Sequence, residues 1–189
     1  MRKGEELNTQ GYLSDLNKLL LQTYSDKFEE IVEVIYSAYI EDKKVFIAGN
    51  GGNSANAEHL VTDLTKGLFL ANGKALNIQN LSSNIARFSA ATNDLDKEMV
   101  FTFLLDMLHI DKNSIVILLS AGGKSQNIAA AAKFAHERGA TTLGLIGGVN
   151  SPLEDQFDFV LRTISDDIQL VEDVHAVFGH LVYKKLIKS

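Results

Sequence analysis

Val45-Phe46-Ile47-Ala48-Gly49-Asn50-Gly51-Gly52-Asn53-Ser54 changes character halfway along. Its first half is a short apolar run of the kind that makes a buried strand, and its second half is a glycine-rich loop leading into a helical pattern at about 54–69. The same event recurs downstream. Ser114-Ile115-Val116-Ile117-Leu118-Leu119 ends in a Ser/Gly loop, and the run from Thr141 to Ile146 ends in Gly147-Gly148. Ala75-Leu76-Asn77-Ile78 and Phe157-Asp158-Phe159-Val160 are weaker strand candidates, and helical patterns fill about 83–93, 95–109, 125–138 and 167–187. Apolar strands that alternate with helices indicate a parallel sheet covered on both faces. Five of them fit a doubly wound, five-stranded α/β sheet, in which ligands bind outside the carboxyl ends of the strands. That places the loops after Ala48 and after Leu119 side by side.

Upstream of this pattern, Leu13, Leu16, Leu20, Tyr24, Phe28, Ile31, Val32, Ile35 and Tyr39 recur at three- and four-residue steps. They predict a helical region within 1–41, as one long helix or two joined near Tyr24–Lys27. The α/β core then occupies 42–189, and the 189 residues make one domain. Apolar residues at 46% and charged residues at 22% describe a globular chain, and no run approaches the roughly 18 apolar residues of a membrane helix. The start, MRKGEELNTQ, does not read as a signal peptide. With no cysteine, disulfides and thiolate metal sites are excluded, which suits a cytoplasmic protein. A formal charge of −6 without a basic cluster argues against nucleic-acid binding.

Two loops offer an anion site. In the first, Asn50, Gly51, Gly52, Asn53 and Ser54 stand at a helix start, where backbone N–H groups favour an anion. A tight strand-to-helix turn is the plain alternative, but the loop holds more glycine than a turn needs. The dinucleotide fingerprint fails, because Ser54 stands where its third glycine belongs. The second loop is Ser120-Ala121-Gly122-Gly123-Lys124-Ser125-Gln126-Asn127, a cradle of hydroxyls, backbone amides and one lysine. Gly123-Lys124-Ser125 is not a nucleotide P-loop, since Leu118 occupies the position of that motif's first glycine.

His59 and Asp63 are four apart and share a helix face; Glu172, Asp173, His175 and His180 cluster near the C-terminus. Such a His/carboxylate set suits a divalent ion such as Zn²⁺. Glu172 and His180 are eight apart, about 12 Å along a straight helix, so one ion can hardly take both from one copy. Any such site is therefore expected near a subunit interface.

Gly49-Asn50-Gly51-Gly52, then His59 and Asp63, Thr92-Asn93-Asp94, the Ser120–Ser125 loop, and Val171-Glu172-Asp173-Val174-His175 with His180 resemble, in order and spacing, the phosphoheptose isomerases. These are SIS-domain proteins with a flavodoxin-like sheet, and the resemblance covers nearly the whole chain. It implies a homotetramer with sites between subunits and interconversion of sedoheptulose 7-phosphate and D-glycero-D-manno-heptose 7-phosphate. It implies one zinc ion per subunit on His59, Asp63, Glu172 and His180, with Asp63 and His180 catalytic. Phosphate is then held by Ser120, Ala121, Gly122, Lys124 and Ser125. The first loop, Asn93, Asp94 and Glu172 complete the substrate site. Within this pattern Asp63 replaces a glutamate, Glu172 a glutamine and Lys124 an asparagine, and Ala121 and Gly122 replace hydroxyl residues. Asn53 stands where serine is common. The alternatives are a non-catalytic SIS protein that binds a sugar phosphate or scaffolds a partner, and an isomerase of another sugar phosphate.

Overall fold

A computed structural model describes residues 8–24 and 26–188; the first seven residues of the N-terminal region lie outside them. The chain runs α1 (Thr9–Thr23), α2 (Asp26–Glu41), β1 (Val45–Gly49), α3 (Gly52–Thr62), a π turn (Asp63–Gly67), α4 (Leu68–Asn72), β2 (Ile78–Asn80), α5 (Ile85–Asp94) and α6 (Val100–Met107). It continues through β3 (Ile115–Ser120), α7 (Gln126–Glu137), β4 (Thr141–Ile146), a 3-10 turn (Glu154–Gln156), β5 (Phe159–Arg162) and α8 (Ile168–Leu186). The five strands are all parallel in the order β2-β1-β3-β4-β5. This is the doubly wound α/β sheet expected from the sequence, with its switch point between β1 and β3.

Alternate strand residues divide the core. Val45, Ile47, Ile115, Ile117, Leu143 and Leu145 face α2, α3 and α8. Phe46, Ala48, Val116, Leu118 and Ile146 face the helices α5, α6 and α7. Central strands buried on both sides have no polar face, which is why they read as unbroken apolar runs. The N-terminal region is two helices, α1 and α2. Helix α1 rests on α8 through Leu19, Leu170 and Val174. Its hydroxyls add to this: Tyr12 donates to Asp173 Oδ2 at 2.6 Å, and Tyr24 to the Val174 carbonyl at 2.6 Å.

Four features differ from the sequence reading. β2 pairs from Ile78 rather than Ala75, because Leu76 is buried with its N–H given to the Leu64 carbonyl at 2.9 Å instead of to a ladder. β5 begins at Phe159, since the Asp158 carboxylate is used by the Thr142 N–H (2.8 Å) and hydroxyl (2.9 Å). The helix after the first loop is interrupted by the π turn at Asp63, and the helix expected from 95 starts at Val100. No helix among the described residues is long and apolar enough to cross a membrane.

Candidate active site

The first loop closes on a side chain from a distant element. Asn53 is buried at the start of α3, and its Oδ1 lies 2.7 Å from His175 Nδ1 on α8. An amide oxygen only accepts, so His175 carries its proton on Nδ1. Its Nε2 is buried without a partner, and burial pulls its pKa down to about 3, keeping the ring neutral. Asn53 Nδ2 donates to Glu172 Oε1 at 3.5 Å. The Glu172 carboxylate lies against Gly52, where a Cβ would overlap its oxygens. Desolvation raises the Glu172 pKa; the Asn53 backbone N–H, bonded to the carboxylate, opposes the rise, and Asp173 adds to it. Asn56 Nδ2 bonds the Glu172 carbonyl at 2.9 Å and ties α3 to α8 at this level. The N-terminus of α3, which favours a negative charge, thus holds the protein's own carboxylate.

The second loop is open. Ser120 and Ser125 hydroxyls bond each other at 3.0 Å. Ser125 is the N-cap of α7 but its side chain takes none of the helix's N–H groups, which leaves them for a ligand. A Cβ on Gly122 would meet nothing within 4 Å. Beside this loop lies a cavity of about 440 Å³ lined by Asn50, Lys97, Glu98, Lys124, Ser125, Gln126 and Asn127. Asn50 and Asn127 exchange amide hydrogen bonds at 3.0 and 2.9 Å and so link the two loops. Two lysines against one glutamate favour an anion there. A larger cavity of about 660 Å³ flanks α7 between Met99, Lys133, His136 and Phe157, and of the two glycine loops only Gln126 lines it.

A third group lies further along α3. His59 Nε2 stands 3.6 Å from Asp63 Oδ2, and the His59 and His180 rings meet edge to face with centroids 4.9 Å apart. One donor atom from each of His59, Asp63 and His180 lies within 4.8 Å of the others. Gly179 makes this possible: a Cβ there would come within 3.3 Å of Leu60 Cδ1, so its absence lets α8 approach α3 and bring His180 beside His59. Asp63 opens the π turn, a device frequent at functional sites. On a zinc ion with bonds of about 2 Å, ligand atoms sit roughly 3.3 Å apart, so the cluster fits a zinc after a small closure. Glu172 is not in the cluster; α8 is unbroken, so about 12 Å along the helix separates it from His180.

The remaining candidates divide. Asn93 and Asp94, exposed at the end of α5, bond each other at 2.9 Å rather than either loop. Ser54 bonds Ser82 at 2.8 Å. Lys97 and Glu98 enter the cavity wall without having been singled out, since charged residues in a polar turn carry no distinguishing pattern, while Asn127 was named only as the end of the second loop. His175 stood in the C-terminal motif; only its contact with Asn53 gives it a role.

The SIS-domain profile matches residues 11–147. A phosphoheptose isomerase of Clostridium acetobutylicum is 31% identical over 159 residues, covering 84% of this chain and 80% of that protein. The chain belongs to the phosphoheptose isomerase family of SIS-domain proteins. Another member, from Nitratiruptor, is 29% identical over 94% of this chain and 99% of its own length. Among solved structures, a phosphoheptose isomerase from Francisella tularensis superposes with a TM-score of 0.86 at 20% identity, over 95% of this chain and 96% of that one. The fold of the phosphoheptose isomerases is therefore kept across wide sequence divergence.

Proposed function

We propose that this phosphoheptose isomerase family member interconverts sedoheptulose 7-phosphate and D-glycero-D-manno-heptose 7-phosphate through an enediol. The observation that carries the proposal is the convergence of Asp63 and His180 on one point beside His59. Isomerisation moves a proton between adjacent carbons and another between their oxygens, which calls for a carboxylate and a group that can both accept and donate. Asp63 removes the carbon-bound proton, and His180 shuttles the proton between the oxygens. His59, which faces both, orients the pair. A zinc ion held by His59, Asp63 and His180 would supply Lewis-acid polarisation of the carbonyl. Coordination lowers a carboxylate's basicity, so the two roles of Asp63 compete.

The phosphate belongs to the second loop, because Glu172 already supplies the negative charge at the first. Ser120, Ser125, the opening N–H groups of α7, Lys124 and Lys97 hold it, and its binding energy positions the reacting carbons. The first loop, with Asn53 and Glu172, faces sugar hydroxyls, which a carboxylate accepts from.

His59 and Asp63 are seven and eleven residues along from Gly52, about 10 and 16 Å at the helical rise. That spacing supports a site shared between subunits of a homotetramer, one supplying the phosphate loop and another the acid–base group. Exposed apolar side chains, among them Leu21 on α1, Phe69 and Leu70 on α4, and Met99 and Phe103 at α6, supply surface for such contacts. The function is tested by incubating the protein with sedoheptulose 7-phosphate, with Zn²⁺ or after chelation, and following the sugars by NMR. Formation of the aldose is expected. A protein that binds the sugar phosphate without turning it over is instead a non-catalytic binder or an isomerase of another sugar.

A further inference from the structure

The phosphate loop does not stand alone: it is stacked, backbone on backbone, against the Gly147-Gly148 turn that follows β4. The Gly147 N–H donates to the Ser120 carbonyl at 2.9 Å. A Cβ on Gly147 would overlap the Ala121 carbonyl, and one on Gly123 would overlap the Gly147 carbonyl. Gly123 and Gly148 both have positive φ, +64° and +84°, so each turn depends on a conformation that needs glycine. The Ser151 hydroxyl donates to the Gly123 carbonyl at 2.7 Å and closes the stack from below.

One side chain organises that turn. Arg162, at the end of β5, donates from Nη1 to the carbonyls of Ile146 (2.8 Å) and Gly147 (2.9 Å) and from Nη2 to that of Gly148 (2.8 Å). Its Nε donates to Glu154 Oε2 at 3.0 Å. The Arg162 side chain is only 14% exposed, and its guanidinium is held between Glu154 and the carbonyls of three buried residues. A planar, forked cation suits this task, and a lysine could satisfy only part of it. The Gly147 carbonyl that Arg162 fixes is the atom against which Gly123 folds, directly before Lys124 and Ser125.

We infer that Arg162 is a positioning residue for the phosphate loop, acting through the Gly147-Gly148 turn without touching the ligand. The inference rests on the reading of Ser120–Ser125 as the phosphate site. It has two measurable consequences. In Arg162→Met, the KM for sedoheptulose 7-phosphate rises about tenfold, as expected for loss of charged hydrogen bonds, while kcat at saturation stays within about twofold because the His59–Asp63–His180 group is untouched. In the same variant without ligand, amide hydrogen exchange quickens at 121–125 and 147–149 and is unchanged at 49–54. Arg162→Lys recovers part of both effects. Should Arg162→Met fail to fold, Glu154→Ala, which removes only the Nε partner, is expected to give the same pattern at a few-fold. An unchanged KM, a fall in kcat alone, or exchange quickened uniformly across the chain would overturn the inference. Failure of the phosphate reading is seen separately, as no binding of sugar phosphate by the unaltered protein. The exchange measurement still decides the role of Arg162 in that case.

Discussion

The two glycine loops look alike in sequence and differ in what the fold delivers to them. Each follows a buried strand, β1 or β3, and opens a helix, α3 or α7. At the first, α8 brings the Glu172 carboxylate over Gly52, and the buried Asn53 and His175 hold that arrangement. At the second, Gly122 faces open space and two lysines line the adjoining cavity. A glycine-rich helix start is an anion site only where no other part of the chain supplies the anion. Under the proposed function the loops divide the ligand, with sugar hydroxyls at the carboxylate and phosphate at the open helix end.

The largest expected effect separates chemistry from both loops. Asp63→Asn should lower kcat by roughly 10²–10⁴ while the dissociation constant of the sugar phosphate stays near that of the unaltered protein; steady-state kinetics with calorimetry reads both. The loops themselves are compared next by stability. Gly52→Ala places a methyl into the Glu172 carboxylate and should cost about 1–3 kcal/mol in urea unfolding. Gly122→Ala meets nothing and should stay within about 0.5 kcal/mol. A Gly52→Ala protein as stable as the unaltered one would mean that Glu172 does not close the first loop.

Affinity gives a finer contrast. Ser120→Ala should raise KM about tenfold by losing a hydrogen bond to a charged group, and Lys97→Gln should raise it by a smaller factor that fades with added salt. Ser54→Ala, in the first loop, should change KM less than either. Equal effects in the two loops would erase the division of labour.

A contrast of another kind lies in acid stability. His175 titrates near 6.5 in the unfolded chain and at about 3 when buried. As pH falls below 6.5 the unfolded chain takes up a proton that the folded one refuses, so stability drops by up to about 1.4 kcal/mol per unit. Glu172 works in the opposite sense. Its folded pKa is raised, so protonation as pH falls through that value favours the folded state. The melting temperature of His175→Gln should therefore depend less on pH between 6.5 and 3 than that of the unaltered protein. An unaltered slope would contradict a neutral, buried His175.

The layout of the sheet was readable because buried parallel strands are apolar nearly throughout: 115–119 is wholly apolar, and 141–146 carries polar side chains only at Thr141 and Thr142. β2 was less readable, since Leu76 is buried without joining the ladder, and nothing in Asp63-Leu64-Thr65-Lys66-Gly67 marks a π turn. His59 and Asp63 share a face by spacing alone, but the arrival of His180 depends on two helices touching at Gly179 and Leu60. Helical rise separates Glu172 from His180, and only the packing of α8 on α3 shows that Glu172 sits on the first loop. Lys97 reaches the cavity through the turn before α6, where sequence offers no periodicity to follow.

The central claim is that the two loops take different ends of one sugar phosphate. A crystal structure of the protein with sedoheptulose 7-phosphate tests it most directly. The expected result is the phosphorus atom among Ser120, Ser125 and the first N–H groups of α7, with Glu172 remaining over Gly52 and accepting from sugar hydroxyls. Phosphorus seated at Gly51–Ser54, with Glu172 displaced, would contradict it.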